Sequence, residues 1–290
     1  MKKIWVMLGL AVMLLPTLSG CQLKVLDPKG PVAETQAHVI KLSMLVMAVI
    51  VVAVIGLYIF MLYKYRASKV GGDYTPPHIE GSKVLETIWI VIPILIVIFL
   101  SVVTVKSTSD VEATAKGYED QEPLVIYAAS SNWKWHFSYP EQNIETVNYV
   151  NIPTDRPIEF KLYSYGPITS LWIPQLGGQK YAMSDMVNTL HLLADTPGSY
   201  FGRNSNFSGS GFAEMEFETQ AMPQKDFDKW VKDVHHTAKK LTEPEFKTLL
   251  KEGHVGRQTY TGTHLTFMPA PEMDMKNMDK DMDMNMDHGK

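Results

Sequence analysis

Two long apolar runs dominate the first third of the chain. Between Leu42 and Tyr63 no side chain carries a charge, and as a helix that run would span roughly 33 Å, enough for a bilayer's hydrocarbon core. Thr87 to Val105 is also free of charge and would extend about 28 Å, with Pro93 inside it, where membrane helices tolerate proline and soluble ones rarely do. The pattern predicts a membrane hairpin with helices over 38–63 and 84–106 and a loop over 64–83. That loop carries Lys64, Arg66, Lys69 and Lys83 against Asp73 and Glu80, and an excess of Lys and Arg in a short loop holds it in the cytoplasm. Both hairpin ends, and everything after Lys106, then lie outside. Gly81-Ser82 offers an N-cap to the second helix, with Glu86 in its first turn. A carboxylate there is favoured by the helix dipole, and an ionisable group at a membrane helix end can also mark an ion path.

From Glu122 the period changes to two, in short runs broken by Pro, Gly, Asn and Asp, which predicts a β-sandwich or barrel. The clearest strand is Asn132 to Tyr139, whose Trp133, Trp135, Phe137 and Tyr139 alternate with polar residues, leaving one apolar side. Others are predicted over Ile158–Tyr163, Ile168–Ile173, Val187–Leu193 and Ala213–Thr219. After Pro223 the period is helical, with Phe227, Trp230, Val231 and Val234 forming one stripe. A second helix begins at a capping box from Thr242 to Glu245, carries Phe246, Leu249 and Leu250, and stops at Gly253. The units are therefore an outer β domain over 107–221, helices over 222–254 and a tail over 255–290. From Glu272 the tail alternates Met with Asp and Lys and reads as solvated and disordered, since nothing in it can fill a core. Affinity of its thioethers for Cu(I) is the other reading. His235 and His236 are adjacent, so on a helix they diverge and make a poor metal pair.

The N-terminus adds a second membrane attachment. Residues 1–20 open with Lys2 and Lys3, continue through an apolar core from Ile4 to Leu15 and end in small residues, the plan of a cleaved secretory signal. Leu18-Ser19-Gly20-Cys21 resembles the bacterial lipobox, which implies acylation of Cys21 with palmitate-type chains. Residues 21–37, with Asp27-Pro28 and Gly30-Pro31, read as an external, turn-rich link.

Charge and cysteine then narrow the chemistry. A net charge of -4 over 290 residues, with no dense basic cluster outside the loop, sets nucleic acid aside. Cys21 is the single cysteine, so neither an internal disulfide nor a site needing two thiolates can form from this chain.

Several strings now carry a family resemblance. Val84-Leu85-Glu86-Thr87-Ile88-Trp89, Trp133-Lys134-Trp135, Tyr139-Pro140-Glu141-Gln142-Asn143 and Ser170-Leu171-Trp172-Ile173-Pro174-Gln175-Leu176-Gly177-Gly178, in this order, resemble subunit II of haem-copper terminal oxidases, most closely of the quinol oxidase branch. The resemblance implies a membrane α-helical hairpin carrying an external all-β cupredoxin-like barrel, with a short C-terminal helical extension. In the cytochrome c branch the barrel holds a dicopper centre, bound by a His before the Trp-Ile-Pro string and by a loop reading Tyr-x-Gly-x-Cys-x-Glu-x-Cys-Gly-x-x-His-x-x-Met. Here Thr169 stands in place of the first His, and Asn204, Asn206, Ser208 and Phe212 in place of Cys, Glu, Cys and His; Met215 alone is kept. One thioether cannot hold two copper ions, since thiolate and imidazole supply most of the affinity, and a lone Met defaults to core filler.

What the resemblance implies follows from the electron donor. Cytochrome c is water-soluble and needs an external metal relay, whereas quinol is dissolved in the lipid and can reach a haem within the membrane directly. The expected chain binds no metal or cofactor of its own. Haems and copper lie in the partner subunit I, quinol is the substrate of the complex, and smaller membrane subunits and membrane lipid are further partners. By the resemblance, Glu86 matches the glutamate at the mouth of a proton-uptake channel, and Trp133 and Trp135 are structural, packing against subunit I or inside the barrel. The whole would sit in the bacterial cell membrane with its C-terminal domain outside. The alternative is a stand-alone membrane-anchored cupredoxin-like lipoprotein that binds copper or a partner protein.

Overall fold

The computed structural model describes residues 23–66, 81–113 and 117–271. The expected signal segment, Cys21, most of the loop between the two helices and the Met-rich run from Glu272 lie outside the described residues. Helix α1 spans Pro31–Lys64 and α2 spans Lys83–Glu112, both long and apolar enough to cross a membrane. Ser82 accepts the Leu85 backbone N–H and caps α2.

Both helices are longer than the apolar runs predict, because their outer ends are built into the β domain. Residues 31–37, expected as part of the link, form the first turns of α1, and Val32, Ala33 and Ala37 are buried against the domain. Just before them the link is held by backbone bonds from Lys29 N–H to Gln175 O (2.8 Å) and from Asp195 N–H to Lys29 O (3.1 Å). At Gly30 a Cβ would lie 1.9 Å from Leu193 O, so only glycine lets the two backbones pass. At the other end, Glu112 of α2 pairs with Lys180 at 2.6 Å.

Among the described residues eleven strands then form two facing sheets: β1 (Leu124–Ser131), β2 (Lys134–Tyr139), β3 (Ile144–Val147), β4 (Tyr149–Pro153), β5 (Ile158–Ser164), β6 (Thr169–Trp172), β7 (Lys180–Ala182), β8 (Asn188–Leu192), β9 (Gly198–Asn204), β10 (Glu216–Met222) and β11 (Gln258–Thr261). One sheet runs β11-β3-β2-β1-β5-β8 and the other β4-β10-β9-β6-β7. The β1–β5 and β4–β10 pairs are parallel, and the remaining neighbours antiparallel. Ile126, Trp135, Phe137 and Phe160 from the first sheet meet Val150, Leu171 and Phe217 from the second in one core. Trp135 stands edge-on to Phe217 at 6.0 Å, an arrangement worth about 0.5–1.5 kcal/mol beyond area burial.

Three expectations are corrected here. First, β2 begins at Lys134, not Asn132, and it is buried on both faces, because the C-terminal segment covers its polar face. Secondly, β10 begins at Glu216; Phe212–Glu214 form a single 3-10 turn, and Met215 is buried just ahead of the strand. Thirdly, residues 255–271 are folded onto the domain: β11 extends the first sheet along the edge of β3. Helices α3 (Gln224–Thr237) and α4 (Glu243–Leu249) follow the predicted stripes, with Phe227, Val234, Phe246 and Leu249 buried. The capping box does not form, since Thr242 makes no side-chain cap and Glu245 is taken by Lys239.

Candidate functional site

The aligned ligand positions meet where β6 and β9 run side by side and the chain turns through 205–215. Each polar group there is accounted for within the protein. Asn204 is fully buried; its Oδ1 accepts the backbone N–H of Ser170 (2.8 Å) and Asn206 (3.0 Å), and its Nδ2 donates to Ser208 Oγ (2.9 Å). Thr169 donates to Ser130 Oγ at 2.7 Å. Asn206 points its amide the other way, donating to Ile168 O at 2.8 Å. Phe212 packs against Phe207 at 5.1 Å between ring centres, and Phe207 remains 72% exposed. Met215 is buried in the sandwich core. The loop is thus closed by an asparagine through three hydrogen bonds, each worth about 0.5–1.5 kcal/mol net.

Trp133 is the residue whose placement alternation could not give. Its φ of 80° lies in the left-handed region, a costly conformation for a bulky side chain, and it turns the ring out of the core toward the loop. Nε1 donates to Ser208 O at 3.1 Å, and the ring stacks on His254 at 5.7 Å. His254 Nε2 in turn lies 3.2 Å from Glu214 Oε2. Gly211 is required by this arrangement, since a Cβ there would sit 2.3 Å from Trp133 Cδ2. Trp133 and Trp135 therefore part company: Trp135 is wholly within the core, and Trp133 braces the loop. No local sequence signal marks His254 as its partner.

Chemically, this donor set does not fit a dicopper centre. It offers no thiolate and no imidazole, its amide and hydroxyl oxygens are engaged by protein donors, and hard oxygen donors suit neither Cu(I) nor a mixed-valence pair. Among the described residues no group of three or more His, Cys, Asp or Glu side chains could hold a metal ion. Far from the loop, Glu86 is exposed in the first turn of α2, close to Gly81, and His235 is exposed with Nε2 2.8 Å from Gln142 O.

Comparison with known proteins gives the following similarities. The family model described as cytochrome c oxidase subunit II, transmembrane domain, matches residues 19–106. A Bacillus cereus protein named quinol oxidase subunit 2 is 46% identical over 276 residues, covering 94% of this chain and 95% of its own length. A Bacillus subtilis protein of the same name is 51% identical over 254 residues, covering 87% of this chain and 79% of its own. Among solved structures, the periplasmic domain of subunit II of cytochrome oxidase of Bradyrhizobium japonicum aligns at 21% identity and a TM-score of 0.38, over 39% of this chain and 94% of that one.

Proposed function

The chain belongs to the quinol oxidase subunit 2 family, and from that premise we propose that it supports quinol oxidation, oxygen reduction to water and proton translocation carried out mainly in a haem-copper subunit I. The observation that supports this reading is the loop closed by Asn204, whose donors are spent on the protein itself. A domain of that kind cannot hold the relay a water-soluble one-electron donor requires, whereas a quinol dissolved in lipid needs none outside the membrane. The haems and copper then belong to subunit I, and this chain binds neither. It spans the cell membrane twice, with Cys21 as a lipid anchor after cleavage of the signal and with the sandwich outside. Smaller membrane subunits complete the assembly.

Purification through this chain in mild detergent is expected to bring down a haem-bearing, multi-helix subunit and quinol-driven oxygen consumption. Copper analysis of the isolated chain should give no stoichiometric metal. A colourless single chain, or a copper-bearing one, would overturn the reading and favour a stand-alone lipoprotein.

Within that assembly Glu86 stands at the cytoplasmic entrance for protons. Its exposed position in the first turn of α2, at the end facing the Lys/Arg-rich loop, supports this role. Glu86→Gln is expected to slow turnover about a hundredfold, the low end of the span for losing a proton-transfer group, with haem content and assembly unchanged. Full turnover in the variant would return Glu86 to a helix-capping carboxylate.

A further inference from the structure

The outer side of β2 is a row of polar and ionisable groups sealed by the C-terminal segment. Lys134 is 2% exposed, and His136 and Ser138 are fully buried. Lys134 Nζ donates to the carbonyls of Asn132 (3.0 Å) and Lys251 (2.6 Å). Glu145 on β3 and His264, just past β11, are fully buried as a pair, with His264 Nδ1 2.8 Å from both carboxylate oxygens. The His264 backbone N–H (2.7 Å) and Ser138 Oγ (3.0 Å) also donate to Glu145, and Tyr163 Oη meets His264 Nε2 at 2.5 Å. Phe246 of α4 lies flat on His264 at 4.4 Å and edge-on to His136 at 5.2 Å. One ring therefore seals both histidines.

One member of this cluster is incompletely matched. His136 Nε2 is bonded to Ser131 Oγ at 2.9 Å, but its Nδ1 meets no polar atom. The groups around it are Lys134 on its own strand, His264 from the C-terminal segment, Glu145 from β3, Tyr163 on β5, Tyr165 just past it and the Ser131 hydroxyl from β1. The Glu145 carboxylate is already committed to His264 and Ser138, so no free acceptor waits for a second proton on His136. Burial first, then the charges of His264 and Lys134, holds the His136 pKa well below the usual histidine value. The ring is neutral in the fold, and charging it would place an unpaired cation beneath Phe246.

We propose that residues 239–271 form an acid-sensitive strap, latched over the first sheet through Phe246 and His264, and that a proton on His136 unseats it. The strap carries His254, which stacks on Trp133, and Trp133 holds the Ser208 carbonyl. Its release would therefore free the loop after β9 as well. The latch stands on the fold alone; only its setting, an outer face where translocated protons emerge, rests on the proposed function.

The sign follows from linkage. Above the ordinary histidine value both folded and released states hold His136 neutral, and pH has no effect through it. Below about pH 6.5 the released state binds a proton that the latched state refuses, so latching weakens as pH falls, by up to about tenfold per pH unit.

Hydrogen exchange of the full chain in detergent, from about pH 8 to about pH 5 and corrected for the intrinsic exchange rate, tests this. Peptides within 239–271 should lose protection below about pH 6.5, those of 205–212 should follow, and β5 should not change. His136→Phe keeps ring volume beneath Phe246 and cannot take a proton, so its strap should stay protected throughout. Should that variant be unprotected even at the alkaline end, His136→Asn takes over the comparison. Wild-type protection independent of pH would overturn the proposal, as would acid release that persists in the variant. Loss of protection at alkaline pH in both variants counts against it too, because an uncharged replacement ought to leave the strap seated.

Discussion

Replacing His264 by alanine is expected to destabilise the outer domain by about 3–5 kcal/mol, the usual result of stranding one member of a buried charged pair. The Glu145 carboxyl would lose its imidazole partner and keep only Ser138 and one backbone N–H, with no route to water at zero exposure. Phe246 would also lose the imidazole it covers at 4.4 Å. Urea unfolding in detergent, followed through the buried Trp135, reads this directly, since a change of that size approaches half the stability of an ordinary domain. Glu145→Leu combined with His264→Leu should cost less than the sum of the two single changes, because the double variant buries no orphaned charge. A single-variant cost under about 1 kcal/mol would show that the pair does not anchor the C-terminal segment. In this comparison His136 keeps its burial and the Lys134 charge and loses only the His264 contribution to its lowered pKa.

The reach of the sequence follows from what generates period and what hides it. Both membrane helices were legible from their long apolar runs, and their extra outer turns were not, since residues 31–37 and 107–112 break the apolar run with polar side chains and are helical for tertiary reasons: burial of Val32, Ala33 and Ala37, and the Glu112–Lys180 pair. Alternation on β2 was read correctly as a strand with an apolar face, and it did not show that Lys134, His136 and Ser138 on the other face are buried too. Polarity along one strand does not say what covers it. The C-terminal segment that covers it through Phe246 and His264 includes β11, which has no hydrophobic period of its own and is held by edge pairing to β3, invisible until Glu145 is beside His264. That Thr169, Asn204, Asn206, Ser208 and Phe212 offer neither thiolate nor imidazole was legible in the sequence. The loop's closure by Asn204 and its brace by Trp133 depend on a left-handed backbone and on a histidine more than a hundred residues further along the chain, neither of which leaves a local signature.

If the loop was emptied by side chains alone and its scaffold kept, putting the donors back should restore metal binding. The variant carrying Thr169→His, Asn204→Cys, Asn206→Glu, Ser208→Cys and Phe212→His, with Met215 retained, is expected to take up about two copper ions per chain and to turn purple with near-infrared absorption, whereas the wild type takes up none. The geometry favours the outcome. Asn204 and Ser208 side chains already touch at 2.9 Å, so two sulfurs placed there begin as neighbours, and Met215 N–H and O are fixed to Phe212 and Asn204. The backbone N–H groups of Ser170 and Asn206, now bonded to Asn204 Oδ1, would point at a thiolate and lower the cost of its charge. Without copper the variant should be less stable by about 1–3 kcal/mol, since those donors lose a strong acceptor, and copper should return that stability by mass action. The residue most able to block the result is Trp133, whose ring crowds Gly211 and claims the Ser208 carbonyl. A folded variant that binds no copper would place the divergence in this brace and not in the ligands, and Trp133→Ala added to the five changes would then be expected to restore uptake.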